Sequence, residues 1–159
     1  RIKMNKNIKL VATDIDGVWT DAKMHYTENG DFMKSFSTYD GMGVEMLRNN
    51  NIETIIMTSE NSNIVLKRAE KLKIKNVYIG EKNKLDRLKK ICLKKKIELN
   101  EVAYIGDDVN DIEVLKNVGF SALSNNSPIK NQIKVDYITE KKGGDGAFRE
   151  FVEVILKEK

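Results

Sequence analysis

The stretch LVATDIDGVWTDA, residues 10–22, determines how the rest of the chain is interpreted. Apolar, β-prone residues run directly into Asp14 and Asp16, and a glycine follows. A run of this kind predicts a strand that is covered on both faces of its sheet. Carboxylates at the end of a buried strand are costly unless a cation or hydrogen-bond donors meet them. The two aspartates therefore predict a polar site where this strand ends.

Strand-like and helix-like segments alternate along the chain. Short apolar runs predict strands at 8–16, 52–59, 76–80, 102–108, 120–124 and 136–139. Apolar residues three and four apart predict amphipathic helices at 41–51, 61–74, 84–96, 110–119 and 147–159. This alternation predicts an α/β fold, a Rossmann-like doubly wound parallel sheet with helices on both faces. In such a sheet, polar residues that follow the strands gather at its carboxyl edge.

One segment, residues 23–37, interrupts the alternation. Its centre is Asn29-Gly30 between β-prone arms, which predicts a β-hairpin. A two-stranded arm is not stable alone, so we expect it to pack on the core or on another subunit. The hairpin and one helix account for the residues between the first two strands of the sheet, which leaves no cap domain. Residues 1–159 are expected to form one domain with a C-terminal tail at about 140–159.

Charge and cysteine content argue against several classes of protein. The chain has 28 Lys and Arg residues against 24 Asp and Glu residues, a net charge of +4, and the two signs are interspersed. This pattern favours a solvated surface over a nucleic-acid-binding face. The single cysteine, Cys92, excludes an internal disulfide and a cysteine zinc cluster. No segment approaches the roughly 20 apolar residues of a membrane span, and no signal peptide is visible, so we expect a cytoplasmic protein that binds no membrane.

Four polar clusters follow predicted strands or begin predicted helices. They are Asp14 with Asp16, Thr58 with its neighbours, Lys84, and the GDDVND stretch with Asp107, Asp108 and Asp111. Oxygen-rich clusters suit Mg²⁺, which takes one or two carboxylates and keeps positions for water and phosphate oxygens. A carboxylate can attack phosphorus to form an aspartyl phosphate, while a hydroxyl and an ammonium hold the phosphoryl oxygens. Together the clusters predict a magnesium-dependent site for phosphoryl chemistry.

Each cluster has a simpler explanation when it is taken alone. Asp108 and Asp111 suit helix capping as well as direct chemistry, and Thr58 suits a cap of the next helix. An isolated lysine such as Lys84 is usually a surface residue. The order of all four clusters along the strands is what favours a shared site.

The four clusters resemble the motifs of the haloacid dehalogenase superfamily of phosphatases. The matching residues are DIDGVWTD (14–21), Thr58, Lys84 and GDDVND (106–111). The resemblance implies that Asp14 is the nucleophile and that Asp16 is the general acid and base. It also implies that Thr58 and Lys84 hold the phosphoryl group.

The same resemblance implies a magnesium site and a type of substrate. Asp14, Asp107 and the backbone carbonyl of Asp16 would bind Mg²⁺, with Asp108 and Asp111 in support. The absence of a cap and the GGDGAFRE stretch (143–150) are similar to the capless phosphatases of 3-deoxy-octulosonate 8-phosphate and of nonulosonate 9-phosphates. Members of that branch are homotetramers whose neighbouring subunits help to close each active site. Without the resemblance, the glycines of this stretch would be interpreted as a flexible linker.

Two residues bear on the choice of sugar acid. The octulosonate phosphatases carry an arginine soon after the phosphate-binding threonine, whereas Glu60 takes that place here and Lys71 follows eleven residues later. This pairing is similar to the nonulosonate 9-phosphate phosphatases, although both residues could belong to an ordinary helix surface. The other substrate-binding residues that the resemblance implies are Ser37, Asp40, Arg68 and Gly144.

Three alternatives accompany this interpretation. The substrate could be 3-deoxy-octulosonate 8-phosphate. The chain could be a phosphatase-like C-terminal domain of an acylneuraminate cytidylyltransferase, with a structural or oligomerisation role. A response-regulator receiver domain also uses aspartates, a threonine and a lysine around Mg²⁺, but its phosphorylated aspartate follows the third strand, which the position of Asp14 disfavours.

Overall fold

A computed structural model describes residues 7–158. Its main sheet consists of the strands β1 (Leu10–Thr13), β4 (Glu53–Met57), β5 (Val77–Tyr78), β6 (Val102–Gly106), β7 (Phe120–Leu123) and β8 (Tyr137–Ile138). These six strands are parallel and lie in the order β5-β4-β1-β6-β7-β8. The helices are α1 (Thr38–Asn49), α2 (Asn63–Lys71), α3 (Lys84–Lys95), α4 (Ile112–Leu115) and α5 (Ala147–Lys157). The predicted Rossmann-like fold is confirmed.

The central strands are buried because helices cover both faces of the sheet. Val11 packs into one apolar cluster with side chains of α1, α2 and α5. Its neighbours Leu10 and Ala12 point into a second cluster with α3 and α4. Side chains alternate between the two faces along a strand, so every residue of β1 can be apolar.

Helix α4 is shorter than the predicted helix at 110–119. Residues Val109–Asp111 form a 3₁₀ turn, and α4 then ends at Leu115. Gly119 makes a close backbone contact, because its N–H donates to the carbonyls of Leu99 and Val102 and a Cβ there would lie 1.9 Å from the Asn100 carbonyl oxygen. The chain therefore leaves the helix early to enter β7.

A β-hairpin extends from the sheet between β1 and α1. Strands β2 (His25–Thr27) and β3 (Gly30–Met33) pair antiparallel around a turn in which Gly30 has a φ of +107°. Tyr26 and Phe32 on its arms are 64% and 56% exposed. Within residues 7–158 no cap domain covers the strand ends. That the full chain 1–159 is one domain stays a prediction.

The helices in the described part of the chain are too short or too polar to cross a membrane.

Candidate active site

The predicted site residues meet at the carboxyl edge of three adjacent strands. Asp14 follows β1, Thr58 follows β4 and Asp107 follows β6, and these strands are neighbours in the sheet. A cavity of about 250 Å³ opens there. Its lining comprises Asp14, Asp16, Ala22, Thr58, Ser59, Glu60, Asp107, Asp108 and Asn110. Of the predicted site residues, this cavity brings together Asp14, Asp16, Thr58, Glu60, Asp107 and Asp108.

A glycine lets the first and last motifs approach each other. Gly17 has a φ of +88°, and a Cβ on it would lie 1.8 Å from Asp107 Oδ2. Only glycine adopts this backbone without strain and leaves room for the carboxylate. The DxDG pattern therefore has a steric reason for its last position.

Three carboxylates lie close together at the carboxyl edge of the sheet. Oxygens of Asp14, Asp107 and Asp111 lie within 4.8 Å of one another, and all three residues are buried. Burial and the neighbouring Asp111 raise the pKa of Asp14 well above its usual value. The same two causes raise the pKa of Asp107 to about 7. This excess of buried negative charge is what a divalent cation would neutralise.

Asp111 already has partners for both of its oxygens. Its Oδ1 accepts from Lys84 Nζ at 2.8 Å and from the Tyr104 hydroxyl. Its Oδ2 accepts the backbone N–H groups of Asp107 at 2.8 Å and Asp108 at 3.3 Å. Asp111 therefore supports the acidic loop and Lys84, which leaves Asp14 and Asp107 as the carboxylates fitted to hold Mg²⁺.

Lys84 is the first residue of α3 and its side chain is only 2% exposed, so it is not a surface lysine. Its Nζ lies 3.2 Å from Asp14 Oδ1 and 2.8 Å from Asp111 Oδ1. Burial opposes its charge, but these two carboxylates outweigh that effect and raise the pKa of Lys84. A charged ammonium is thus held beside Asp14, although Lys84 is not itself in the lining of the catalytic cavity.

Thr58 and Asp108 both take part in local backbone contacts. The Thr58 N–H donates to the Tyr78 carbonyl at 2.9 Å, and its hydroxyl accepts the Glu60 N–H at 3.4 Å while the residue lines the cavity. Asp108 accepts the Val109 N–H at 2.7 Å and caps the 3₁₀ turn that follows. For Asp108 the structure therefore shows the capping role.

The side chain of Asp16 is held by a lysine of the hairpin. Lys34 Nζ donates to Asp16 Oδ1 at 2.9 Å and lies 3.5 Å from Asp31 Oδ2. The other oxygen of Asp16, Oδ2, is buried and has no hydrogen-bond partner among residues 7–158. Asp16 is not part of the group of three close carboxylates described above. Its predicted part in metal binding therefore rests on its backbone carbonyl.

Sequence reasoning missed three polar side chains around the site. Lys34 contacts Asp16, Tyr104 contacts Asp111, and Asn110 donates to the Ser59 hydroxyl at 3.0 Å across the cavity. The only available signal was a polar group in an apolar setting, as Tyr104 is within VAYIG and Lys34 is next to FM.

Three of the predicted substrate-binding residues, Ser37, Asp40 and Arg68, meet around the start of α1 and do not line the catalytic cavity. Ser37 caps α1, and its carbonyl accepts from Arg68 Nη2 at 3.4 Å. Asp40 is buried, and its Oδ1 accepts the Arg149 N–H of α5 at 2.9 Å. Burial raises the pKa of Asp40 to about 6.

Gly144 and Lys71 lie elsewhere. Gly144 lines a second cavity, of about 420 Å³, together with Ser37 and residues of the hairpin. Next to it, a Cβ on Gly143 would lie 2.1 Å from the Gly17 carbonyl oxygen, so the tail packs closely on the first motif and is not a loose linker. Lys71 lines a third cavity with Glu45 and Arg48 and is not in the lining that contains Glu60.

Comparison with known proteins gives consistent results. A family model described as haloacid dehalogenase-like hydrolase matches residues 58–151. The 3-deoxy-D-manno-octulosonate 8-phosphate phosphatase of Haemophilus influenzae is 36% identical over 152 residues, which cover 96% of this chain and 84% of that protein. The corresponding Escherichia coli K12 phosphatase is 35% identical over 152 residues, which cover 95% of this chain and 80% of that protein.

Solved structures agree with the sequence relatives. The Moraxella catarrhalis octulosonate 8-phosphate phosphatase, in complex with magnesium, phosphate and the octulosonate, superposes with a TM-score of 0.92. It is 38% identical, and the match covers 97% of this chain and 88% of that one. The cobalt-bound Haemophilus influenzae enzyme gives a TM-score of 0.91 at 35% identity, with coverage of 96% and 90%.

Proposed function

Because the chain belongs to the haloacid dehalogenase-like hydrolases, we propose that it hydrolyses the phosphate monoester of a 2-keto-3-deoxy sugar acid. The chain is a phosphoric monoester hydrolase, and Mg²⁺ is its cofactor. The observation that carries the proposal is the buried Asp14 carboxylate, which faces an open cavity between the Lys84 ammonium and Asp107. A nucleophile, a cation for the phosphate and a metal-binding carboxylate are thereby in one place.

The proposed reaction has two steps. In the first, an oxygen of Asp14 attacks phosphorus, the bond from phosphorus to the sugar oxygen breaks, and Asp16 gives its proton to that oxygen. In the second, Asp16 takes a proton from water as the water oxygen attacks the aspartyl phosphate, which releases phosphate and restores Asp14. Lys84 and Thr58 hold the phosphoryl oxygens in both steps.

Mg²⁺ would be held by Asp14, Asp107 and the Asp16 carbonyl, where it would neutralise negative charge on the phosphoryl group. Asp111 positions this set through the N–H groups of the acidic loop and through Lys84. Asp108 closes the turn beside it.

For the sugar acid, a nonulosonate 9-phosphate is our preferred substrate. Glu60 is exposed and lines the same cavity as Asp14, so it would repel a substrate carboxylate near it and accept hydrogen bonds from hydroxyls. The longer nonulosonate can carry its carboxylate past this position. Octulosonate 8-phosphate is the second candidate, because the named relatives act on that ester.

Lys71 can serve this substrate only from a neighbouring subunit. Glu60 precedes α2 and Lys71 is its last residue, so about 13 Å of helix separates them. We therefore propose a homotetramer with shared active sites. Exposed apolar side chains on the hairpin and on α1 supply a surface for it, namely Tyr26, Phe32, Met33, Tyr39 and Met42.

A phosphate-release screen tests the function. It compares nonulosonate 9-phosphate, octulosonate 8-phosphate and a hexose 6-phosphate that lacks the carboxylate, each with Mg²⁺ and with EDTA. We expect turnover of the sugar-acid esters only, with the nonulosonate ester preferred, and no phosphate release in EDTA. Equal turnover of the hexose ester would contradict the substrate class, and light scattering of the same sample would contradict the tetramer if it gave a monomer.

A further inference from the structure

A second buried lysine, Lys34, contacts the other motif aspartate and belongs to none of the four motifs. It directly follows β3, and its side chain is 1% exposed. Its Nζ lies 2.9 Å from Asp16 Oδ1, 3.3 Å from Met24 Sδ and 3.5 Å from Asp31 Oδ2. The ammonium thus has three partners, two of which lie on the hairpin or the approach to it.

Burial of the Lys34 ammonium has a free-energy cost that its charged partners must offset. Burying an ammonium costs several kcal/mol unless charged partners surround it, and a hairpin arm could end equally well in an exposed lysine. Here the long side chain is turned inward and fixed by groups from two segments. The result is a rigid donor aimed at one oxygen of Asp16.

The two oxygens of Asp16 are therefore unlike. Oδ1 accepts a charge-assisted hydrogen bond from Lys34, whereas Oδ2 has no partner among the described residues although it is buried. Asp16 also lines the catalytic cavity beside Asp14. Oδ2 is therefore the oxygen of Asp16 that is left to contact a reacting group.

We propose that Lys34 is a positioning residue that holds Asp16 by Oδ1 so that Oδ2 is the atom that carries the proton. This inference rests on the proposed acid and base role of Asp16. The proton on Oδ2 passes to the sugar oxygen as its bond to phosphorus breaks, and Oδ2 takes a proton from water as that water attacks the aspartyl phosphate. Because Lys34 extends from the hairpin, packing of the hairpin sets the orientation of the acid.

The test compares two leaving groups in Lys34→Met, which keeps the length of the side chain and removes its charge. Octulosonate 8-phosphate releases an alkoxide and needs a proton, whereas p-nitrophenyl phosphate releases a stable phenolate. In a single turnover, which isolates formation of the aspartyl phosphate, we expect the rate to fall about 100-fold on the sugar ester and less than about threefold on the aryl ester. Lys34→Arg should recover part of the loss, because it restores a cation.

Two controls separate positioning from folding. Lys95→Met removes a lysine that pairs with Glu53 at 2.6 Å, away from the cavity lining, and should leave both rates unchanged. In an Asp16→Asn background, Lys34→Met should have little further effect, since both changes act through the same group. A melting curve of each variant shows whether it is folded.

The outcomes distinguish the inference from the function on which it rests. If the wild type releases no phosphate from either ester, the proposed function is wrong and the inference falls with it. If the wild type is active but Lys34→Met slows the first step equally on both esters, or does not slow it on either, the positioning role is wrong while the function stands. An additive loss in the Asp16→Asn background would also overturn it.

Discussion

Two buried lysines hold the two motif aspartates, and they reach them from different parts of the fold. Lys84, at the start of α3, contacts Asp14 from the helical layer of the core. Lys34, at the end of the hairpin, contacts Asp16 from an extension of the sheet. The environment of the nucleophile is thus set by the core, and that of the proposed acid is set by the hairpin. Nucleophilic attack by Asp14 and proton transfer by Asp16 should therefore be separable by mutation.

The largest effect is expected on the core side, at Asp14. Asp14→Asn removes the nucleophile and a metal ligand together, so turnover should fall below detection on every phosphate ester. Steady-state phosphate release measures it, and circular dichroism checks the fold. Residual turnover near the wild-type rate would mean that Asp14 is not the nucleophile.

On the hairpin side, loss of Asp16 should depend on the leaving group. Asp16→Asn should lower kcat on a sugar-acid ester by about 10²- to 10⁴-fold, the usual contribution of a general acid or base. The loss should be smaller on p-nitrophenyl phosphate, whose leaving group needs little protonation. Single-turnover measurements of leaving-group release on both esters isolate the first step, and equal losses there would count against Asp16 as the acid.

Asp40 is a third buried carboxyl group, and no lysine contacts it among the described residues, so it shows how such a group behaves without an ammonium partner. Burial raises the pKa of Asp40 from 3.8 to about 6, even though the Arg149 N–H and two arginine charges oppose the shift. Since the folded-state pKa lies above the unfolded value, stability is lost as the pH rises from about 4 through 6. Asp40→Asn keeps an oxygen for the Arg149 N–H and removes the charge. It should therefore stabilise the fold by about 3 kcal/mol above that window and by little below it.

Urea unfolding of Asp40→Asn at about pH 4 and about pH 7.5 measures the difference. Asp86→Asn, which removes an exposed carboxylate at the start of α3, is the matched control. The same change in unfolding free energy at both pH values would show that the Asp40 carboxyl does not titrate as the structure indicates.

The smallest effect is expected at the rim of the cavity, where neither lysine lies. Glu60→Arg exchanges an anion for a cation, so it should shift kcat/KM from the nonulosonate ester toward the octulosonate ester by about tenfold, or about 1.4 kcal/mol. A competition assay with both esters measures the ratio. An unchanged ratio would show that Glu60 does not contact the sugar acid.

The same contrast explains what the sequence could predict. Asp14, Thr58 and Asp107 each follow a buried strand, so local patterns place them, and the order of parallel strands brings them together. Lys34 and Asp16 are 18 residues apart and meet through the course of the hairpin, which local patterns do not describe. Their pairing was therefore missed.

Spacing along a helix was also an unsafe guide to shared contacts. An eleven-residue interval pairs Glu60 with Lys71, but the two residues line different cavities. Helix α4 ended early because Gly119 packs on the Asn100 backbone, a tertiary contact that no periodicity signals. By contrast, the alternation of apolar strands and amphipathic helices was sufficient to predict the layers.

The central claim is that Asp14 becomes phosphorylated during turnover, and borohydride trapping tests it most directly. The enzyme is mixed with Mg²⁺ and octulosonate 8-phosphate, quenched within the first turnover, and treated with borohydride, which reduces an acyl phosphate to an alcohol. Mass spectrometry of the peptide that contains residues 10–22 should then show conversion of Asp14 alone, and only in samples that received substrate. Turnover without conversion of Asp14, or conversion of Asp107 in its place, would contradict the account.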